Sequence, residues 1–148
     1  MRLKDKVAII TGGSRGIGYA TADKFLKEGA AVILTASTQE SADRAVTKLK
    51  EKYPDAIVDG ISPNLASLES VRNAFKEVTG KYGCVDILVN NAGITRDGLI
   101  AMMKEEDFDK VIAVNLKGAF NMIRHTAGLF IRNREGCIIN IASVAGIM

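Results

Sequence analysis

Tryptophan is absent from the 148 residues, and aromatic residues make up only 5% of them. Any core must therefore be built from Val, Ile, Leu and Ala, which the 47% hydrophobic content supplies. Histidine occurs once, as His125, and cysteine twice, as Cys84 and Cys137, with no C-x-x-C pair. Structural and catalytic zinc sites draw their ligands from closely spaced Cys and His, so no metal site is expected. Two isolated cysteines in strand-like contexts are expected to be reduced core residues of a cytosolic protein. No run approaches the roughly 18 apolar residues of a membrane helix. The start, Met1-Arg2-Leu3-Lys4-Asp5-Lys6, lacks the apolar stretch of a signal peptide. A cytoplasmic protein without membrane contact is therefore expected. A charge of one sign is lacking too. Twenty Lys and Arg face 17 Asp and Glu, for a net charge of +3. They are interspersed along the chain, which argues against a nucleic-acid surface and leaves room for an anionic ligand or an acidic partner.

What the chain does contain is a regular alternation. Val7-Ala8-Ile9-Ile10, Val32-Ile33-Leu34, Ile87-Leu88-Val89 and Ile138-Ile139-Asn140-Ile141 are short apolar runs without polar alternation. Such strands are buried on both faces, as in a parallel sheet. Ala56-Ile57-Val58 reads as a weaker third strand. Between the runs, apolar residues recur at helical spacing. Ala22, Phe25, Leu26 and Gly29 share one face, with Gly29 as a stop. Ala42, Ala45, Val46 and Leu49 share another, with Ser37 and Glu40 spaced as a capping box. Leu68, Val71, Phe75 and Val78 make a third. A long helix is predicted from about Glu105 to Arg132, with Phe108, Val111, Ile112, Asn115, Ala119, Met122 and Thr126 in one stripe. Met102, Met103 and Phe120 read as core or interface, and His125 as a packing or surface residue. The order predicts one α/β domain over 1–148, a Rossmann-type doubly wound parallel sheet with right-handed crossovers.

Thr11-Gly12-Gly13-Ser14-Arg15-Gly16-Ile17-Gly18 follows the first strand and opens the first helix. A helix N-terminus offers unpaired N–H groups and partial positive charge, and glycine lets the backbone approach phosphates. The spacing of Gly12, Gly16 and Gly18 is G-x-x-x-G-x-G, different from the usual dinucleotide fingerprint. A tight turn that merely needs glycine is the plain alternative. After the second strand, Leu34-Thr35-Ala36-Ser37-Thr38 carries no acid, and none occurs until Glu40. An acid there would accept from a ribose 2′-hydroxyl and repel a 2′-phosphate. Its absence, with Arg15 as a forked counter-charge, favours NADP over NAD. Arg15 read plainly is a solvated loop arginine.

Three further features join the turn: Asn90-Asn91-Ala92-Gly93 after the fourth strand, Asn115 inside the long helix, and Ile139-Asn140-Ile141-Ala142-Ser143 closing the fifth strand. Together they resemble the short-chain dehydrogenase/reductase family over essentially the whole chain. Within it, Asn91-Ala92-Gly93-Ile94-Thr95-Arg96-Asp97 and Ser143-Val144-Ala145-Gly146-Ile147-Met148 are most similar to NADPH-dependent reductases of 3-oxoacyl thioesters on acyl carrier protein. Acetoacetyl-CoA reductases share much of this, and reductases of other carbonyls or a non-catalytic nucleotide-binding fragment remain alternatives. The resemblance implies that Gly12, Ser14, Arg15, Gly16, Ile17 and Gly18 line the pyrophosphate and 2′-phosphate. It places Ser37 by the adenosine ribose, Asn64 and Leu65 beside the adenine, and Asn91, Ala92 and Gly93 at the nicotinamide half. At position 64 the family more often has Asp; Asn keeps a carbonyl acceptor for the adenine amino group and loses the charge. Ser143 matches the catalytic serine and Asn115 the helix asparagine of the proton relay. Read plainly, Asn115 is a satisfied structural amide and Ser143 a strand-end turn residue.

The resemblance also implies that Arg134, with Arg132 nearby, docks an acidic carrier protein; a charged helix end is the plain alternative. The family's Tyr, with a Lys one helical turn beyond it, is expected past Met148, since Tyr19, Tyr53 and Tyr82 have no Lys four residues on. The domain is thus expected to be truncated after the fifth strand, as a fragment or a natural short form. It would leave an apolar edge at Cys137 to Ala142 and part of a homotetramer interface. The chain alone is then expected to have little or no catalytic activity.

Overall fold

A computed structural model describes residues 1–146. Five strands form one sheet: β1 (Val7–Ile10), β2 (Ala31–Thr35), β3 (Val58–Ile61), β4 (Ile87–Asn90) and β5 (Cys137–Asn140). Their order is β3-β2-β1-β4-β5, and every neighbouring pair is parallel. The helices are α1 (Gly16–Lys27), α2 (Gln39–Lys52), α3 (Leu68–Tyr82), α4 (Glu105–Val111) and α5 (Gly118–Asn133). The expected doubly wound α/β sheet is present.

Alternate side chains of each strand feed two cores. Ala8, Ile10, Val32, Leu34 and Val89 pack with Ala22 and Leu26 of α1 and Ala42, Ala45 and Leu49 of α2. Val7, Ile9, Ile33 and Leu88 pack on the other face with Val71, Phe75 and Val78 of α3 and Met122 of α5. Burial of each such Val, Ile or Leu contributes about 1.5–3 kcal/mol, so the central strands anchor the loops at their ends.

Several expectations need correction. The third strand begins at Val58 and not Ala56. Its Asp59 and Gly60 hide it from an apolar pattern, because Asp59 is satisfied by Lys81 and Tyr82, while a Cβ on Gly60 would lie 2.9 Å from that of Ala42. The cap of α2 is Thr38, whose side chain accepts from Ser41 N–H, so Ser37 and Glu40 form no capping box. Cys137 is exposed on β5 and is not a core residue, although both cysteines are free. Met102 and Phe120 are exposed, so of the two expected places, core or interface, only the interface is left open to them.

The long helix is interrupted. Ile112–Lys117 forms a π-helical segment between α4 and α5, and Gly118 N–H reaches back five residues to Ala113 O. The single stripe therefore breaks. Phe108 and Ile112 are exposed, while Gly118, Asn121, Met122 and Thr126 are buried beyond the wide turn.

Candidate cofactor site

The polar residues gather at the C-terminal ends of β1, β2 and β4. The chain runs from β1 to β2 on one side and later to β4 on the other, so β1 and β4 flank the switch point where open α/β sheets bind ligands. Thr11, just past β1, is 2% exposed. Its Oγ1 accepts from the N–H groups of Asn91 and Ala92, both at 3.0 Å. The Asn91 side-chain amide donates to the carbonyls of Thr11 and Gly12 at 3.2 and 3.1 Å. From the other side, Thr35 takes Gly13 N–H on its carbonyl at 2.9 Å and Gly12 N–H on its hydroxyl at 3.2 Å. The glycine turn is thus held by β2 and β4 together. Thr11 and Thr35 were not singled out from the sequence, and their only signal was a threonine closing an apolar run.

Gly12 and Gly16 adopt φ of +65° and +58°, a left-handed conformation that favours glycine. A Cβ on Gly18 would lie 2.2 Å from Gly12 O and 2.5 Å from Asn91 Nδ2, so α1 can approach the turn only with glycine there. A Cβ on Gly16 would meet nothing within 4 Å, which leaves the space over the turn open. Arg15, the N-cap of α1, makes no side-chain cap, and no acid lies in the first turn. Close packing behind, open space in front and an uncapped positive helix end fit a pyrophosphate. Ser14 is half-buried, and Arg15 and Ile17 are exposed at this mouth.

Ser37 is exposed and free of capping duty. Asn64 is exposed; its Oδ1 accepts from Ala66 N–H at 3.1 Å, which closes a local turn and leaves one lone pair and the amide. Leu65 is half-buried behind it. On the β4 side, Asn115 turns both halves of its amide to Ile94, accepting from its N–H at 2.8 Å and donating to its carbonyl at 2.9 Å. A Cβ on Gly93 would lie 3.4 Å from Asn115 Oδ1. The π segment therefore points Asn115 at the loop carrying Asn91, Ala92 and Gly93.

Ser143 follows β5, whose end is tied to β4 by Ile141 N–H on Asn90 O at 2.9 Å and by Asn90 Nδ2 on Asn140 Oδ1 at 2.9 Å. Ser143 Oγ accepts from Ala145 N–H at 3.2 Å, so its hydroxyl proton stays available to donate. Arg132 and Arg134 are exposed at the end of α5, next to the start of β5 and at the opposite end of the sheet from Ser143. The Tyr82 hydroxyl is bound by Asp59, away from the strand ends. Among the described residues, no group of His, Cys, Asp and Glu could hold a metal, and no helix is long and apolar enough to cross a membrane.

The family model described as short chain dehydrogenase matches residues 6–148. The chain belongs to the short-chain dehydrogenase family. Among its relatives, the 3-oxoacyl-[acyl-carrier-protein] reductase FabG of Thermotoga maritima is 46% identical over 147 residues, 99% of this chain and 59% of that protein. A 3alpha-hydroxysteroid dehydrogenase of Mediterraneibacter gnavus is 42% identical over the same share of each chain. FabG of Staphylococcus aureus is 44% identical over 142 residues, 95% of this chain and 57% of its own length. This short-chain dehydrogenase sequence thus spans less than two thirds of the curated relatives it matches.

Proposed function

We propose that this chain is the nucleotide-binding part of an NADPH-dependent oxidoreductase that reduces a 3-oxoacyl thioester to its 3-hydroxyacyl form. The observation that carries the proposal is the glycine turn, held open by Thr11, Thr35 and Asn91 beside an acid-free β2 end. In this reading Gly12, Ser14, Gly16, Ile17 and Gly18 surround the pyrophosphate, and Arg15 and Ser37 meet the 2′-phosphate and ribose. Asn64 and Leu65 flank the adenine; Asn91, Ala92 and Gly93 border the nicotinamide. The bound cofactor supplies hydride. Ser143, with its hydroxyl proton uncommitted, donates to the substrate carbonyl and stabilises the charge that develops on that oxygen. Loss of one such donor lowers turnover by about 10²–10³. Asn115 holds the β4 loop through Ile94.

The substrate class rests on the relatives named as 3-oxoacyl-[acyl-carrier-protein] reductases. A hydroxysteroid substrate is the second reading, favoured by the 42% identical relative. Self-association, to a homotetramer in the complete protein, is supported by Phe108, Ile112, Leu116 and Phe120, exposed at four-residue intervals from α4 through the π segment into α5. Carrier docking at Arg132 and Arg134 has less support, since within one chain they lie far from Ser143.

Two measurements test the proposal. Fluorescence titration of the 148-residue chain should give at least about tenfold tighter binding of NADPH than of NADH, the worth of one charge-assisted contact. Equal affinities would remove the NADP assignment. NADPH oxidation with acetoacetyl-acyl-carrier-protein, acetoacetyl-CoA and a 3-oxosteroid should be negligible for this chain. For a longer protein containing it, the carrier-linked thioester should be fastest. A faster steroid rate would favour the second reading.

A further inference from the structure

The helix that carries Asn115 also grips the loop on the adenine side, and one buried amide makes the contact. Asn121 of α5 is 1% exposed, and its Nδ2 donates to Leu65 O at 2.7 Å. One turn earlier on the same face, Gly118 is buried, and a Cβ there would lie 3.2 Å from Leu65 Cβ. The turn they touch is otherwise bonded to itself and to α3. Asn64 N–H donates to Ser70 Oγ at 2.9 Å, Ala66 N–H to Asn64 Oδ1 at 3.1 Å and Ser67 N–H to Asn64 O at 3.0 Å. These bonds shape residues 64–67 and tie them to α3, while Leu65 also rests on the core that α3 shares with the sheet. The bond from Asn121 adds a second tie, to α5, which Met122 and Thr126 anchor in the core and which also leads to Asn115.

We propose that Asn121 is a positioning residue: through Leu65 it sets the height of the adenine-flanking turn relative to the helix that holds the β4 loop. The long helix then registers both ends of the nucleotide site, Asn115 through Ile94 and Asn121 through Leu65. Gly118 supplies the clearance that lets Leu65 come close enough for the bond. A buried amide on a helix facing a loop carbonyl is costly unless paired, so the pairing is enforced by both partners. This inference rests on the NADP reading above.

Adenosine 2′,5′-bisphosphate, which carries only the adenine side of NADP, is the probe. In the 148-residue chain, Asn121→Leu should weaken its binding about tenfold, the worth of one lost part-buried hydrogen bond, and should weaken NADPH by the same factor. Asn115→Ala should weaken NADPH while leaving the bisphosphate within about twofold. Asn121→Asp supplies a readout that general loosening would not move. A carboxylate repels the Leu65 carbonyl and a protonated carboxyl donates to it, so affinity relative to wild type should recover as pH falls from 8 to 5. Gly118→Ala improves helix propensity, so it should fold while still pushing Leu65 away and weakening the bisphosphate. Unchanged bisphosphate affinity in both folded Asn121→Leu and Gly118→Ala would overturn the inference, as would a pH-independent deficit in Asn121→Asp. If the wild-type chain binds no bisphosphate, the NADP reading fails instead. Hydrogen exchange at Ala66 and Ser67 then judges the clamp: faster exchange in Asn121→Leu supports it, and unchanged exchange refutes it.

Discussion

Replacing Thr11 by valine isolates the joint between the glycine turn and the β4 loop. The two side chains have nearly the same shape, so packing is kept while the hydroxyl is lost. Thr11 Oγ1 accepts two backbone N–H groups, from Asn91 and Ala92, and its weaker contact to Val89 O is 3.4 Å long. Each donor left without a partner costs about 1–3 kcal/mol. Because these bonds are only partly buried, the low end applies, for a loss of about 2–4 kcal/mol. The extra buried methyl returns about 0.8 kcal/mol. The net destabilisation is therefore about 2 kcal/mol, or roughly 5–8 °C in Tm for a domain of this size. Thr11→Ser is the control: it keeps the acceptor and loses only a methyl, about 1 kcal/mol. Thermal unfolding by circular dichroism should rank wild type above Thr11→Ser and Thr11→Ser above Thr11→Val. Amide exchange at Asn91 and Ala92 should accelerate only in the valine variant. A Thr11→Val protein as stable as Thr11→Ser would show that the hydroxyl does not hold the loop, and the account of the turn would fail with it.

Gly18→Ala places a Cβ 2.2 Å from backbone Gly12 O, which no side-chain adjustment relieves; NADPH binding should fall by more than about tenfold at little gain in helix propensity, as fluorescence titration would show. His125 stacks on Phe75 at 5.5 Å, and burial, with Arg124 and Arg72 adding repulsion, holds its pKa below the ordinary value. The unfolded chain therefore takes up a proton first as pH falls below about 6.5, so stability should decline from there down to the folded-state pKa and be flat above pH 7. Denaturant midpoints across pH 5–8 would detect this, and His125→Phe should flatten the slope. Asn115→Ala removes both bonds to Ile94, each worth about 0.5–1.5 kcal/mol, and should speed exchange at the Ile94 amide without unfolding the sheet.

The parts of the fold legible in the sequence were those where one physical demand dominates. Val7–Ile10, Val32–Leu34 and Ile87–Val89 are apolar without interruption because each strand faces a helix layer on both sides. The glycine turn was legible because left-handed φ at Gly12 and Gly16 and the contact at Gly18 all select the same residue type. Where two demands compete, the pattern blurs. Edge strand β3 carries Asp59 because Lys81 and Tyr82 satisfy it, so the apolar signal pointed two residues too early. Ser37 is by type at least as good a cap as Thr38, and only the backbone chose Thr38. Thr11, Thr35 and Asn121 carry no local signal because the partners that give them their role in the site lie at least 22 residues away in the chain, beyond any local spacing rule.

The π segment was invisible for a related reason, and its position explains what it accomplishes. A regular helix from 105 to 133 would keep one face on the core throughout. Two requirements are then in conflict. Beyond residue 118 the helix must bury Asn121, Met122 and Thr126 against α3 and the sheet. Before it, the helix must turn Asn115 toward Ile94 rather than into that core. One wide turn, closed by Gly118 N–H on Ala113 O, shifts the register between the two stretches and meets both requirements. Its cost is the weaker geometry of the wider turn, consistent with the rarity of such turns and their frequency at functional sites. The same shift leaves Phe108, Ile112, Leu116 and Phe120 facing outward. The rotation that brings Asn115 to the β4 loop thus also presents the apolar face on which self-association is proposed, so that proposal and the loop geometry both trace to one local departure from regular helix.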